Sequence, residues 1–358
     1  MEVYRLMDIF VLDKTFKPLG VIDYCQSIII STYYNQIGDF ELYVPVTEEA
    51  LEILKVNNIV YLENDRSNLL FIQNVKIQTD IENADYITAT GFSAEIFIKN
   101  RIAWGLNETS GSLADCIRKL LTDNLIDPED SARKNPLVKI GGLVEGETLT
   151  KQTTGGNLLE VIEQMLEAQK LGHRMNFDGY SFVFSTYEGT DRTYNQTSKS
   201  PVLFSPDFDN LLATEYEQNF EGFANVALIA GEGEGIERKM AAVGTASGIE
   251  RVETYVDARN LSSKAEEGEA ELTSEEYETV LKEKGKEALA ELKETESFEA
   301  EIEPAVVYKY KKDYFVGDLV TVINEYGMRL NARIINAVES WDENGYKLII
   351  KFEKKGDN

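Results

Sequence analysis

The residues whose types could support catalysis are a single histidine and two cysteines. A Ser-His-Asp or Cys-His mechanism would have to use His173, and a histidine-rich metal site is impossible with only one histidine. His173 lies between a helix-ending glycine and a predicted strand, which favours a structural or solvated role. Cys25 and Cys116 have no CxxC spacing and cannot form a disulfide framework or a four-thiolate zinc site. We therefore expect two free thiols in a protein made in a reducing cytoplasm.

The glycine-rich turn GEGEGI at 231–236 superficially resembles a nucleotide-binding loop, because it follows the strand-like run NVALIA. The dinucleotide fingerprint requires GxGxxG at the start of a helix, but Ile236 occupies the third glycine position and IERKMAAVG is strand-like. Two glutamates within the turn would also repel a pyrophosphate. The sequence therefore favours a tight β connection over a phosphate site.

Carboxylate chemistry leaves no specific signature in this sequence. With 63 acidic residues, some pair satisfies any spacing rule for glycosidic cleavage. The run PDFDN at 206–210 lacks the glycine and the distal glutamate of a calcium loop, which predicts a polar turn before a strand. Only Trp104 and Trp341 are available for stacking on sugars, which disfavours a carbohydrate-binding protein. We predict no catalytic, cofactor-binding or metal site.

The overall charge excludes tight binding to phosphate backbones. The chain has 36 basic and 63 acidic residues, a formal net charge of −27, and such a field repels nucleic acid and anionic lipid. No run approaches the roughly 18 apolar residues of a membrane span, and the N-terminus does not resemble a signal peptide. A length of 358 residues predicts two to four folded units.

The elements that must position these residues are mostly strands. From the start to about residue 110, short β-branched and aromatic runs are separated by turn residues, and Phe40, Leu42 and Val44 alternate with polar or aromatic neighbours. The runs predicted as strands are 27–34, 39–44, 59–63, 69–79 and 85–91. Several closely spaced strands of this kind are typical of a barrel or sandwich.

Helical patterns interrupt the strands twice. Residues 111–200 contain helices starting at the caps Ser112 and Asn157 and a hairpin at Asp178-Gly179, which predicts a small α/β unit. Residues 261–303 hold 15 acidic and five basic residues, and a capping box at Thr273 predicts one helix, or two broken at Gly285. This acidic segment is either a solvated surface element or a helix for docking a partner.

Three blocks together resemble the siphophage tail-tip, or baseplate-hub-like, protein family. They are the N-terminal runs GDFELYVP (38–45), FIQNVKIQTD and ITATGFSAEIFIKNRI (87–102), the block FANVALIAGEGEGIERKMAAVG with GIERVETYVDARNL, and the C-terminal YKYKKDYFVGDLVTVINEYGMRLNARIINA. The blocks occur in the family's order over nearly the whole chain.

The resemblance implies an α+β, mainly β chain with two hub-type antiparallel β-barrel domains, a small α/β domain and a helical insertion. The expected domains are a first barrel at 1–110, the α/β domain at 111–200, a discontinuous second barrel at 201–260 and 298–358, and an acidic helical insertion at 261–297. Gly231, Gly233 and Gly235 would form a tight turn. Arg238, Arg251 and Arg259 would pair with acids such as Asp257, and Gly317-Asp318 would shape the turn before DLVTVI.

The implied function is structural. A homotrimeric ring would link the tail tube or distal tail protein to the tip of a phage or phage-like tail and form a channel through which DNA passes without specific binding. Further expected partners are the tape-measure protein and a separate receptor-binding or lysin protein; no membrane contact is expected. Because the chain ends directly after its last strand, we expect no enzymatic part. The alternative is a wall-active peptidoglycan hydrolase or peptidase with a cleft in 111–200.

Overall fold

The computed structural model describes residues 7–79, 85–263, 272–304 and 307–354. The first half contains the strands β1 Ile9–Leu12, β2 Pro18–Ile22, β3 Ser27–Tyr33, β4 Asp39–Pro45, β5 Ile59–Leu62, β6 Leu70–Gln78, β7 Tyr86–Phe92, β8 Leu106–Ser112, β9 Val138–Ile140, β10 Thr148–Thr154, β11 Gly172–Phe177 and β12 Phe182–Tyr187. The second half contains β13 Leu203–Phe204, β14 Leu211–Asn219, β15 Val226–Ala230, β16 Met240–Val243, β17 Glu253–Asp257, β18 Thr295–Ile302, β19 Leu319–Ile323, β20 Arg329–Asp342 and β21 Gly345–Lys354. The helices are α1 Glu48–Ile53, α2 Ile96–Lys99, α3 Leu113–Leu121, α4 Leu158–Ala168 and α5 Ser274–Glu291.

The chain is mainly β, as the sequence predicts. It divides into two compact units, one comprising Met1–Ile96, His173–Glu217 and Glu296–Asn358, and the other Phe97–Gly172 and Gln218–Thr295. Within the described residues, no helix is both long and apolar enough to cross a membrane.

The first unit is organised around a 13-stranded sheet. Eleven strands follow the path β14-β18-β21-β20-β3-β4-β7-β6-β5-β1-β2, and off this path β19 pairs with β20 and β13 pairs with β19. In β4, Phe40, Leu42 and Val44 are almost fully buried while the residues between them are not, as the alternation predicts. Among the described strands this path is open, because β14 and β2 do not pair and no barrel closes. The two expected barrels are therefore not confirmed.

Two separate hydrophobic cores lie in this unit. One is formed by the strands up to β7 together with Trp341, and the other by residues from 202 onward together with Tyr34. The strands β3 and β20 join the two sets, because Ser27–Tyr33 pairs antiparallel with 336–342. Trp341 thus reaches from a late strand into the core of the early strands, a contact that no local pattern indicates.

The second unit contains two smaller sheets and three helices. The polar strands β8 and β10 pair antiparallel over seven residues. Ser112 caps α3 and Asn157 caps α4 through side-chain oxygens that accept backbone N–H groups, as predicted. The helix α4 ends at Ala168. The sequence predicts its end at Gly172, which is instead the first residue of β11.

The acidic segment forms one helix. Thr273 and Glu276 form the predicted capping box of α5, and the helix continues through Gly285. Its apolar residues Tyr277, Val280 and Leu281 are buried against the sheet of β15–β17. This part of its apolar side is therefore covered by the protein itself, whereas Leu289 and Leu292 are only partly buried. Residues 264–271 of the predicted insertion lie outside the described residues.

Candidate functional site

The two cysteines have no features of reactive thiols. Cys25 and Cys116 are both buried and free, as predicted. Burial raises the pKa of Cys25 to about 11 and also raises the pKa of Cys116. Since the thiolate is the nucleophile, these environments disfavour covalent catalysis at either residue.

His173 is fully enclosed in the first unit. Its Nδ1 lies 3.9 Å from Oε1 of Glu95, and its ring stacks on Phe184 with centroids 5.6 Å apart. The hydroxyl of Ser93 donates to Oε2 of Glu95 at 2.6 Å. The serine thus bonds to the carboxylate that faces His173. The structural role of His173 stays a prediction.

Metal and sugar sites find no support in the described parts of the chain. No group of three His, Cys, Asp or Glu residues is placed there to hold an ion. In PDFDN, Pro206–Phe208 form one helical turn before β14, and the side chain of Asn210 is bonded to the backbone of Ser205 and Leu203. Trp341 is buried, and Trp104 is 66% exposed with the guanidinium of Arg133 5.0 Å from the centre of its ring.

The glycine-rich turn is a strand-turn-strand connection. It joins β15 to β16, which pair antiparallel, and its helical part is the single turn Gly235–Glu237. Gly233 and Gly235 have φ of +93° and +56°, which glycine adopts without strain. Gly231 serves a different purpose, since a Cβ there would lie 2.4 Å from the hydroxyl oxygen of Tyr277. The turn lacks the helix on which a pyrophosphate would rest.

The three arginines singled out in the sequence all pair with acids. Arg238 donates to Asp257 at 2.7 Å, and Arg259 donates to both oxygens of the same carboxylate. The hydrogen bond from Arg259 is the main reason that the pKa of Asp257 falls to about 2. Arg251, which follows the helical turn before β17, pairs with Glu253 on that strand.

Arg238 also closes the turn onto the sheet. Its guanidinium donates to the carbonyl oxygens of Gly231 and Ala230 at 3.0 and 2.9 Å, and to the hydroxyl of Tyr255 at 2.8 Å. One side chain therefore ties the turn to β15 and β17. This is the mechanical role that the resemblance implies for it.

Gly317 and Asp318 lie at a turn in the first unit. Gly317 has φ of +96°, and the buried carboxylate of Asp318 accepts from the backbone N–H of Thr190 and from Nε of Arg192, both at 2.8 Å. The turn before β19 is therefore shaped as expected. Asp318 in addition anchors the segment after β12, which the sequence does not reveal.

A repeated tetrapeptide escaped the sequence reasoning. Gly-Ile-Glu-Arg occurs at 235–238 and again at 248–251, and each copy forms a single helical turn beginning at a glycine of positive φ. Ile236 and Ile249 are fully exposed at the tips of these turns, with relative exposures of 104% and 101%. A search for internal repeats of four residues would have found them.

Comparisons with known proteins identify a family and a shared fold. The family described as Siphovirus ReqiPepy6 Gp37-like protein matches residues 8–352. No curated protein matches the chain. The tail protein from Neisseria meningitidis MC58 has a TM-score of 0.62 at 12% identity and covers 99% of this chain and 98% of its own.

Two prophage structures share the fold as well. The 43 kDa tail protein of prophage MuSo2 from Shewanella oneidensis has a TM-score of 0.60 at 13% identity, covering 96% of this chain and 98% of its own. The prophage tail protein gp18 from Listeria monocytogenes EGD-e has a TM-score of 0.52 at 14% identity, covering 98% and 95% respectively. At these identities the likeness shows the fold alone.

Proposed function

Because the chain belongs to the Siphovirus ReqiPepy6 Gp37-like protein family, a family of siphophage tail proteins, we propose that it is a structural hub protein of the tail tip or baseplate. The match over residues 8–352 is the observation that carries the proposal. On this proposal the protein is made in the cytoplasm of the bacterial host and ends in the tail of the virion.

The proposed assembly is a homotrimeric ring to which each subunit contributes two hub domains. Two separate cores, one from the early and one from the late strands, support two such domains within the first unit. The sheet path ends at β14 and β2, and each of these strands has a single neighbour among the described residues. An open edge of this kind is available for pairing with a neighbouring subunit, which would close the barrels between chains.

The proposed ring is non-enzymatic. The buried thiols, the serine bonded to Glu95 and the absence of a three-ligand cluster in the described residues give no support to a wall-active hydrolase. Zymography on peptidoglycan distinguishes the two functions. A cleared zone from the purified chain, abolished by a carboxylate variant, would replace the structural proposal with the hydrolase alternative.

The charge suits a conduit for DNA. A wall that attracted phosphates would hold DNA through counterion release, whereas a chain of net charge −27 lets it slide. We expect no gel shift of double-stranded DNA at low ionic strength, where electrostatic binding is strongest. Retention of DNA by the purified chain would contradict the proposed channel.

The test of the hub proposal is the position and number of copies in tail particles. A label on the chain should appear at the tip, beside the distal tail or tail-tube protein and the end of the tape-measure protein, with three copies per tail. Light scattering of the purified chain, alone and with the distal tail protein, checks the trimer. Absence from the particles, or a label along the whole tube, would overturn the proposal.

A further inference from the structure

One face of the three-stranded sheet in the second unit is partly exposed, because Val226 and Ala230 of β15 are buried there and Leu228 between them is not. The helix α5 packs on Ala227, Ile229 and Ala241, which point to one face of the sheet. On the other face, Leu228, Met240 and Tyr255 are 42%, 52% and 55% exposed. The register places them together, because Leu228 pairs with Tyr255 and the neighbouring position Ala230 pairs with Met240. We call these three residues the open face.

The two repeated turns add exposed apolar tips at both ends of the sheet. The turn with Ile236 joins the end of β15 to β16, and the turn with Ile249 joins the end of β16 to β17. Since β16 runs antiparallel to β15, the two connections lie at opposite ends. Burial of a fully exposed isoleucine side chain is favourable, so each tip favours a covering surface.

Both tips are held rigidly by hydrogen bonds. Arg238 fixes the first tip through its bonds to the backbone of Ala230 and Gly231. Asn225 fixes the second, because its Nδ2 donates to the carbonyl of Glu250 at 2.7 Å and its Oδ1 accepts from the N–H of Val252 at 2.9 Å. A preorganised surface binds a partner with little cost of ordering.

The rim of the open face carries more acidic than basic residues, and its exposed lysine is Lys239 beside Met240. Exposed carboxylates flank both isoleucines, and the three arginines nearby are each engaged with an acid. These flanking acids are Glu234, Glu237 and Glu250. A surface with lysines and arginines at its rim would be attracted to these carboxylates.

We propose that the open face and the two isoleucine tips dock a separate tail protein whose contact surface is apolar at its centre and basic at its rim. The inference rests on the proposed function for the location of that partner, since it places the contact within the tail particle. The hub proposal does not say which residues contact a separate tail protein, and this inference names them.

The test is site-specific photocrosslinking in assembled particles. Benzoylphenylalanine replaces Ile236 or Ile249, with the exposed Tyr180 of the first unit as the matched control position. We expect both tips to crosslink to one peptide of a different protein, with at least two lysines or arginines near the linked residue. Crosslinks only to another copy of this chain, or yields no higher than at position 180, would overturn the inference.

A second measurement separates docking from folding. With benzoylphenylalanine at Met240, the crosslink should fall at least tenfold in the Ile236→Ser, Ile249→Ser variant and in the Glu237→Lys, Glu250→Lys variant, while circular dichroism stays unchanged. An unchanged yield in both variants contradicts the proposal. A chain that is missing from the particles defeats the hub function, whereas a chain that is present but crosslinks only to itself defeats this inference alone.

Discussion

Asp257, the last residue of β17, connects this strand to the glycine-rich turn through Arg238. It accepts hydrogen bonds from Arg238 across the sheet and from Arg259 two residues later. Family resemblance indicated arginine–acid pairs at these positions, but only the three-dimensional arrangement reveals that two of them share one carboxylate. Sequence spacing cannot show this, because β16 lies between Arg238 and Asp257 along the chain.

The shared carboxylate predicts a pH dependence for Asp257→Asn. The pKa of Asp257 falls from 3.8 to about 2 on folding, so its contribution to stability is complete above pH 4 and is lost as the pH falls towards 2. The variant should unfold at lower urea concentration than the wild type at pH 7, and the two midpoints should converge near pH 2. Because Asp257 is solvent-exposed, the difference should be small.

The matched control is Glu343→Gln, which removes an exposed carboxylate from the turn between β20 and β21. Its midpoint should follow that of the wild type at every pH. A difference for Asp257→Asn that persists at pH 2 would show that the arginine bonds do not depend on the charge.

At Gly285, replacement by alanine should change stability in the opposite direction from that expected from helix propensity. In an exposed helix interior, Gly→Ala stabilises by about 1 kcal/mol. Here a Cβ would lie 2.4 Å from Cδ1 of Ile229, so Gly285→Ala should lower the free energy of unfolding, by about 1 to 3 kcal/mol. Denaturant melts check this. Combining it with Ile229→Val, which removes Cδ1, should destabilise less than the sum of the single changes.

At the scale of elements, a buried ion pair fixes α5 to β10. Nζ of Lys151 lies 2.5 Å from both carboxylate oxygens of Glu287, and the two side chains are 7% and 6% exposed. Burial lowers the pKa of Lys151, and the nearby carboxylate of Glu287 opposes this by favouring the charged amine. The sequence places Glu287 within a solvated acidic segment and gives no indication of this contact.

The pair predicts strong non-additivity. Lys151→Met should lower the free energy of unfolding by about 3 kcal/mol, because it leaves the buried Glu287 with Lys284, at 3.7 Å, as its remaining cationic partner. The double variant Lys151→Met, Glu287→Leu should recover most of the loss, and chemical denaturation measures both. Equal losses in the single and double variants would mean that the pair is not the cause. Lys282→Met, which removes an exposed partner of Glu278, is the control.

The sequence predicts the strands β3 to β7 well, including β5 (predicted 59–63) and β6 (predicted 69–79), whose burial does not alternate. The predicted 27–34, 39–44 and 85–91 correspond to β3, β4 and β7 within one or two residues. The strands β8 and β10 carry almost no apolar signal, since their sequences LNETSGS and TLTKQTT are polar. They are stabilised by pairing with each other, which a local pattern cannot indicate.

At the scale of the whole molecule, the division into domains stays a prediction. The late strand β20 completes the core of the early strands through Trp341, which is 9% exposed. A local pattern cannot reveal a pairing between residues 300 positions apart, so the sequence could indicate the sheets but not their junction.

Trp341 is therefore a probe of the core of the early strands, although it lies far from them in the sequence. Trp341→Ala should lower the free energy of unfolding by about 3 to 5 kcal/mol. In Trp104→Phe, the remaining fluorescence should be blue-shifted and protected from acrylamide, because Trp104 is the exposed tryptophan. Strong quenching of this variant would contradict the burial of Trp341. In Trp341→Phe the remaining tryptophan is the exposed Trp104, so this variant is the reference for an exposed side chain.

The junction of β3 and β20 has a consequence for protein synthesis. At about 5 to 20 residues per second, the ribosome takes roughly 15 to 60 s to extend the chain from β3 to the end of β20. During that interval one edge of β3, with the sequence SIIISTY, has no partner strand from its own chain. Such β-branched edges pair readily with other nascent chains. A lower growth temperature and additional chaperones should therefore increase the amount of this protein that is recovered in native form.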